Sequence, residues 1–245
     1  MRVSMTPPRE GWLRNGLLAG LVATGVMTVT LGVAYAFALN FGGAGGNIVA
    51  QWLWSLTHNR VTAAVSGAPF LFLALQLSMG LALSLVYAGV AEPALGGPAW
   101  RRGALFALAP WLCSLVVFLP LVGGGIAGAA LGAGPLPALG NLIVHLVYGA
   151  TLGAVYAIPE TAGLDRTAED EGAAIGADRG AAVGIVAGVP LGTVCGALVA
   201  ALGGASPLLP TGALLLAGAL IGGAWGGLIG SLAGIDRAVR AGRIR

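Results

Sequence analysis

The sequence contains no lysine, and only 9% of its 245 residues are charged. Its two cysteines, Cys113 and Cys195, are isolated in apolar sequence, which predicts neither a disulfide framework nor a zinc site. There is no His-Glu-x-x-His motif, no Gly-x-Ser-x-Gly nucleophile turn and no phosphate-binding Gly-Lys loop. We therefore predict a protein that is not an enzyme and that carries no cofactor.

Long stretches without charge dominate the chain, in which 57% of the residues are hydrophobic and 43 are glycine. Four uncharged stretches occur, and at roughly 20 residues per spanning helix the first two hold one span each and the last two hold a hairpin each. The fold class expected is an all-α membrane bundle of six transmembrane helices arranged as three hairpins. The predicted spans are 13–39, 70–91, 104–122, 139–158, 181–202 and 214–233.

All twelve basic residues are arginine, and their placement predicts the orientation. With six spans, eleven arginines lie on one side of the membrane and only Arg60 lies on the other. By the positive-inside rule both termini are cytoplasmic. Because the arginines are scattered among membrane ends instead of forming one patch, we expect no nucleic-acid partner.

Glycine recurs at every fourth position in the last two predicted spans. Such rows of small residues let a neighbouring backbone approach closely, as in membrane helix pairs. A row of period four drifts around a 3.6-residue helix, so we expect a crossed pair or a row shared by two neighbours. The predicted packing residues are Gly176, Gly180, Gly184, Gly188, Gly192 and Gly196, with Gly218, Gly222, Gly226, Gly230 and Gly234.

The second and fourth spans follow one pattern, with Gln76, Gly80 and Tyr87 spaced as His145, Gly149 and Tyr156. This predicts an internal two-helix repeat. The expected organisation is a four-span domain over residues 1–159, an acidic cytoplasmic linker over 160–179, a glycine-zipper hairpin over 180–235 and a basic cytoplasmic tail over 236–245. The spacing of acidic residues in the linker does not match a calcium loop, so we predict no metal site there.

Three polar residues inside spans are candidate site residues: Gln76, Asn141 and His145. A neutral histidine within a span hydrogen-bonds a neighbouring helix, ligates a metal or haem, or relays a proton. We expect His145 to bond an adjacent helix, through Asn141 or Gln76. A haem site there would need a second axial ligand, and His58 lies in a loop on the opposite side.

Two connections on the side of Arg60 have apolar character. Ile48, Val49 and Trp52 fall on one helical face, which predicts a short amphipathic helix on the membrane surface. The connection over 123–137 is glycine-rich, and both a partial re-entry into the bilayer and a cover over the bundle are compatible with it.

The four-span part resembles an uncharacterised family of small prokaryotic membrane proteins, a domain of unknown function. The resemblance covers residues 16–157 and rests on the stretch from Arg102 to Gly123 and on the stretch from His145 to Tyr156. It implies a prokaryotic cytoplasmic membrane; the family usually carries a second histidine where this chain has Gln76. The last hairpin is similar to glycine-zipper segments of general-stress-type proteins.

Two functions remain open from the sequence. The first is a scaffold or accessory subunit, whose partners are the lipid bilayer and other membrane subunits or further copies of itself. The second is a transporter or channel for a small neutral solute. Repeated hairpins are typical of transporters, and helices broken at Pro110 and Pro190 would line a transport site. Apart from Arg14, at the start of the first, no charged residue lies inside a predicted span, which argues against a coupled ion or proton pathway.

Overall fold

The computed structural model describes residues 11–158, 168–204 and 211–242. Within these ranges the chain is helical with no strand, and six helices are long and apolar enough to cross a membrane. This confirms the all-α, multi-spanning fold class. The long helices are α1 (Trp12–Phe41), α4 (Pro69–Ala94), α5 (Ala99–Leu121), α6 (Leu136–Tyr156), α7 (Ala168–Val199) and α8 (Thr211–Gly242), with the short helices α2 (Ile48–Thr57) and α3 (Arg60–Gly67) between the first two.

Helices α1, α4, α5 and α6 form a bundle around buried aromatic and small side chains. Helix α5 packs chiefly on α6, and α1 lies against both α4 and α6. The core contains Tyr87, Tyr148, Leu152 and Tyr156 with alanines of α1. The aromatic side chains therefore fill the space where the small residues let the helices approach.

Helices α7 and α8 form a close hairpin whose glycine rows face each other. Helix α7 begins at Ala168, inside the segment predicted as an acidic linker, and Gly176 already contacts α8. The predicted start at Ala181 is therefore too late, because the helix continues beyond the apolar stretch and carries Asp178 and Arg179 within it. Residues 160–167 of the predicted linker and 243–245 of the predicted tail lie outside the described residues.

The hairpin docks on the first four spans at the end where α1 begins. The Asp178 carboxylate accepts hydrogen bonds from the backbone N–H of Gly11 at 2.9 Å and of Arg14 at 3.1 Å. A carboxylate at a helix N-terminus satisfies free N–H groups and complements the helix dipole. Leu17, Leu81 and Ala181 are buried together next to this contact. The division of the chain into independent units stays a prediction.

At the opposite end, short segments cover the bundle. Helix α2 packs on the end of α1, where a Cβ on Gly42 would lie 2.7 Å from the backbone nitrogen of Trp54. The connection over 123–137 contains a 3-10 helix, Ile126–Leu131, and then passes Gly134 against the ring of Trp52. Gly134 has a φ of +55°, where glycine is favoured. This connection contacts α2, which explains how the apolar segment is partly covered.

Candidate functional site

The candidate residue Gln76 connects α4 to α1. Its side-chain Nε2 donates a hydrogen bond to Thr28 Oγ1 at 2.9 Å, and the Thr28 hydroxyl donates to the backbone carbonyl of Thr24 at 2.7 Å. A polar side chain in lipid needs such a partner, because no water replaces it. Gln76 is thereby used in helix packing.

The candidates Asn141 and His145 lie on α6, one turn apart. Asn141 Nδ2 donates to Ser114 Oγ of α5 at 3.1 Å, and His145 Nδ1 lies 2.8 Å from the carbonyl oxygen of Asn141. A carbonyl only accepts, so Nδ1 carries the proton. Of the two partners expected for His145, Asn141 is thus the one found, through its backbone carbonyl on the same helix, and the Asn141 side chain makes the bond to the adjacent helix. Gln76, the other expected partner, bonds Thr28.

The two histidines do not meet. His58 stacks on Trp54 with ring centroids 4.4 Å apart, beyond the opposite end of α1. Across the described ranges, no three His, Cys, Asp or Glu side chains cluster as a metal site would require. His145 thus belongs to no such group within those ranges, and the prediction of no cofactor stays a prediction.

Beside His145 the polar cluster of α5 and α6 has two unusual features. Helix α5 widens into a π-helical turn at Ser114–Phe118, four residues after Pro110. Asn141 Oδ1 is buried and has no hydrogen-bond partner within the described part of the chain. Because π-helical turns often occur at functional sites, this cluster is the best candidate for a polar site within the bundle.

A buried tyrosine, which the sequence did not mark as a site, joins three helices. The Tyr148 hydroxyl donates to the backbone carbonyl of Gly80 at 2.7 Å, and Gly80 itself packs against Thr24. Tyr87 and Tyr156 meet edge to face nearby, with centroids 5.7 Å apart. The spacing of Tyr87 and Tyr156 in the repeated pattern was the only sequence signal for this cluster.

Replacing Tyr148 by phenylalanine is expected to lower the free energy of unfolding by about 1 kcal/mol, because Gly80 loses its buried donor. Thermal unfolding in a mild detergent measures the effect. Tyr35→Phe is the matched control, since Tyr35 is 43% exposed. An equal change in the two variants would contradict the role assigned to the Tyr148 hydroxyl.

A buried ion pair lies between α4 and α5 at their junction. Arg102 Nη1 is 2.6 Å from Glu92 Oε1, and the two side chains are 16% and 4% exposed. Arg102 Nε is also buried and has no hydrogen-bond partner among the described residues. The sequence analysis marked neither residue of this pair as a partner of the other.

The predicted packing glycines lie between α7 and α8 in matched pairs. For each glycine of the α7 row the nearest atom is a backbone atom of α8. For each glycine of the α8 row the nearest atom is likewise a backbone atom of α7. The row is therefore not divided between two neighbours. A contact row with a period above 3.6 residues implies that the two helices wrap around each other in a right-handed sense. The facing residues are Gly176–Gly234, Gly180–Gly230, Gly184–Gly226, Gly188–Gly222, Gly192–Gly218 and Gly196–Leu214.

A second row of small residues, on α1, is only half covered. A Cβ on Gly16 would lie 3.1 Å from the Cβ of Ala88, and Gly20 packs against Ser84. Farther along the same row, a Cβ on Gly32 would meet none of the described residues within 4 Å. All seven residues from Leu31 to Phe37 are exposed. Helix α1 therefore leaves the bundle in its second half.

Comparison with protein-family models, curated proteins and solved structures finds no match in any of the three. The family resemblance over residues 16–157 and the likeness of the last hairpin to glycine-zipper segments therefore stay predictions.

Proposed function

We propose that this protein is a non-catalytic integral membrane protein that acts as a scaffold or accessory subunit of a larger membrane complex. The observation that carries the proposal is the second half of α1, where the residues from Leu31 to Phe37 are exposed around the whole helix. In this proposal a transmembrane helix of another subunit packs on that half. In this proposal the protein lies in the prokaryotic cytoplasmic membrane, with both termini on the cytoplasmic side.

The row of small residues on α1 supports such a partner. Its first half, at Gly16, Gly20 and Thr24, is covered by α4. Its second half continues with the same spacing through Gly32 and Ala36, both exposed and covered by none of the residues that the structure describes. Small residues favour helix contact in membranes because they let backbones approach. The uncovered half of the row therefore consists of small residues, as does the half that packs on α4.

The use of the polar side chains also supports a packing role. Gln76 and Asn141 each bond a hydroxyl of the neighbouring helix, and Tyr148 bonds a backbone carbonyl. These bonds hold helices in register. A protein that presents a fixed surface to a partner benefits from such rigidity.

Small residues at the helix contacts of all three hairpins support the proposed repeat and the glycine zipper. In the first hairpin Gly16 lies against Ala88 and Gly20 against Ser84. In the second hairpin Gly103 lies against Gly149 and Gly153. We infer that the hairpins are copies of one unit, and that the α7–α8 hairpin is a version diverged toward glycine.

A photo-crosslinking residue placed at Gly32 or Ala36 in native membranes is expected to capture one membrane protein, which mass spectrometry identifies. Ala34 is the matched control, because it is exposed on the same part of α1 but lies about 160° to 200° around the helix from these two positions. Capture of lipid alone at Gly32 and Ala36, or equal capture at Ala34, would contradict the proposed docking face.

The π-helical turn of α5 favours one alternative, a transporter or channel for a small neutral solute. There Ser114 and Asn141 place hydroxyl and amide groups beside His145 at membrane depth. Broken or widened helices often line transport sites. Solute-specific uptake into reconstituted liposomes that is abolished by His145→Phe or Gln76→Leu would establish this alternative in place of the accessory-subunit role.

A further inference from the structure

The cytoplasmic end of the α7–α8 hairpin carries a groove with two arginines. Arg179 of α7 and Arg237 of α8 both line it, and small or apolar residues line the rest: Gly176, Gly180, Val183, Gly234 and Ala238. Both arginine side chains are exposed, and Val183 is 62% exposed. In the topology predicted from the sequence, this end of the hairpin is on the arginine-rich, cytoplasmic side. The groove is therefore basic at its rim and apolar below.

The acidic residues next to the two arginines do not neutralise them. Asp178 precedes Arg179 in the sequence, but its carboxylate binds the backbone N–H groups at the start of α1. Asp236 precedes Arg237, but it pairs with Arg240 at 2.8 Å. In the described part of the chain neither groove arginine has a carboxylate partner. Two positive charges thus face the groove uncompensated.

The spacing of the arginines fits a phosphate. Because Gly176 faces Gly234 and Gly180 faces Gly230, Arg179 and Arg237 are about 9 Å apart along the hairpin axis, at 1.5 Å per residue. Arginine side chains are long and bind phosphate oxygens through several N–H donors. A phosphate between the two levels is reached by both guanidinium groups.

The lower part of the groove is apolar. Val183 presents an exposed apolar side chain one turn deeper in the membrane than Arg179, beside Gly180, which is buried against α8. Basic pockets between transmembrane helices on the cytoplasmic side suit the headgroups of anionic lipids. We propose that this groove binds one anionic phospholipid, with its phosphate between Arg179 and Arg237 and an acyl chain along Val183.

Native mass spectrometry of the full chain in a mild detergent, titrated with phosphatidylglycerol, tests this proposal. Arg179→Gln and Arg237→Gln are each expected to weaken the first lipid bound about fivefold, and the double variant about 25-fold, from the usual attraction per arginine. Arg101→Gln is the matched control, because Arg101 is an exposed arginine at the same membrane end outside the groove. It is expected to change binding less than twofold.

Two further titrations distinguish the phosphate of a lipid headgroup from free inorganic phosphate. Phosphatidylcholine is expected to bind more weakly than phosphatidylglycerol, and inorganic phosphate is expected not to displace the lipid because it lacks the acyl chain. Displacement by inorganic phosphate would make the groove a site for free phosphate and overturn the lipid. Equal losses in the Arg101 and Arg179 variants would show a general charge effect and overturn the site. Circular dichroism of each variant checks that the fold is kept.

Discussion

The Gly188→Leu variant is expected to lose about 3 kcal/mol of stability, at the upper end of the cost of overpacking. A Cβ at this position would lie against the backbone carbonyl of Gly222, with the carbonyl carbon at 2.8 Å and Gly226 Cα at 3.3 Å. Backbone atoms cannot rotate away as a side chain does. The helices must therefore separate, and the contacts of the neighbouring glycine pairs are lost with them.

Unfolding of the purified protein in mixed micelles, titrated with a denaturing detergent, measures the loss. Gly212→Leu is the matched control in the same hairpin, because Gly212 is exposed and a Cβ there meets no described residue within 4 Å. The control is expected to change stability by less than about 0.5 kcal/mol, as surface substitutions usually do. Equal stability of the Gly188 variant and the wild type would show that the glycine contact does not hold the hairpin together.

The membrane spans were predictable because lipid imposes a simple requirement on sequence. An apolar stretch of sufficient length without charge has few alternatives to a spanning helix, so all six spans are found near their predicted positions. Charge marks where the apolar stretch ends, but it does not end the helix. For this reason the start of α7 was placed at Ala181, whereas the helix begins at Ala168.

The contacts between distant segments could not be predicted from the sequence. Asp178 binds the backbone at Gly11, 167 residues away, and Tyr148 binds the carbonyl of Gly80, 68 residues away. Backbone groups have the same chemistry at every residue, so no residue type marks Gly80 or Gly11 as a partner. The glycine rows were different, since their period itself marks the face that packs.

In the candidate site, too, the polar residues were predictable from the sequence, whereas most of their hydrogen-bond partners were not. Sequence identified Gln76, Asn141 and His145 as polar residues within spans, and all three make hydrogen bonds in the structure. For His145 the sequence named Asn141 as one of two possible partners. The partners of Gln76 and Asn141 were not predicted, because any of several hydroxyl or carbonyl groups would satisfy them equally well. The partner of Gln76, for instance, is Thr28, one of several small or polar residues on the same face of α1.

Replacing Glu92 by glutamine is expected to destabilise the protein by about 3 kcal/mol, because Arg102 is then left buried without a counter-charge. Arg102 is 16% exposed and its Nε already has no hydrogen-bond partner in the described residues, so little water reaches the charge. The pair also joins the end of α4 to the start of α5. Unfolding in mixed micelles again gives the change in free energy.

A double variant separates the charge effect from lost packing. Replacing Glu92 and Arg102 together by glutamine is expected to recover part of the stability lost in Glu92→Gln, because no unpaired charge remains. Asp236→Asn is the control, since the Asp236–Arg240 pair is exposed and such pairs contribute about 0.5 kcal/mol or less. A double variant less stable than Glu92→Gln would mean that Arg102 stabilises the bundle through contacts other than Glu92. The junction of α4 and α5 would then depend on the packing of the arginine side chain.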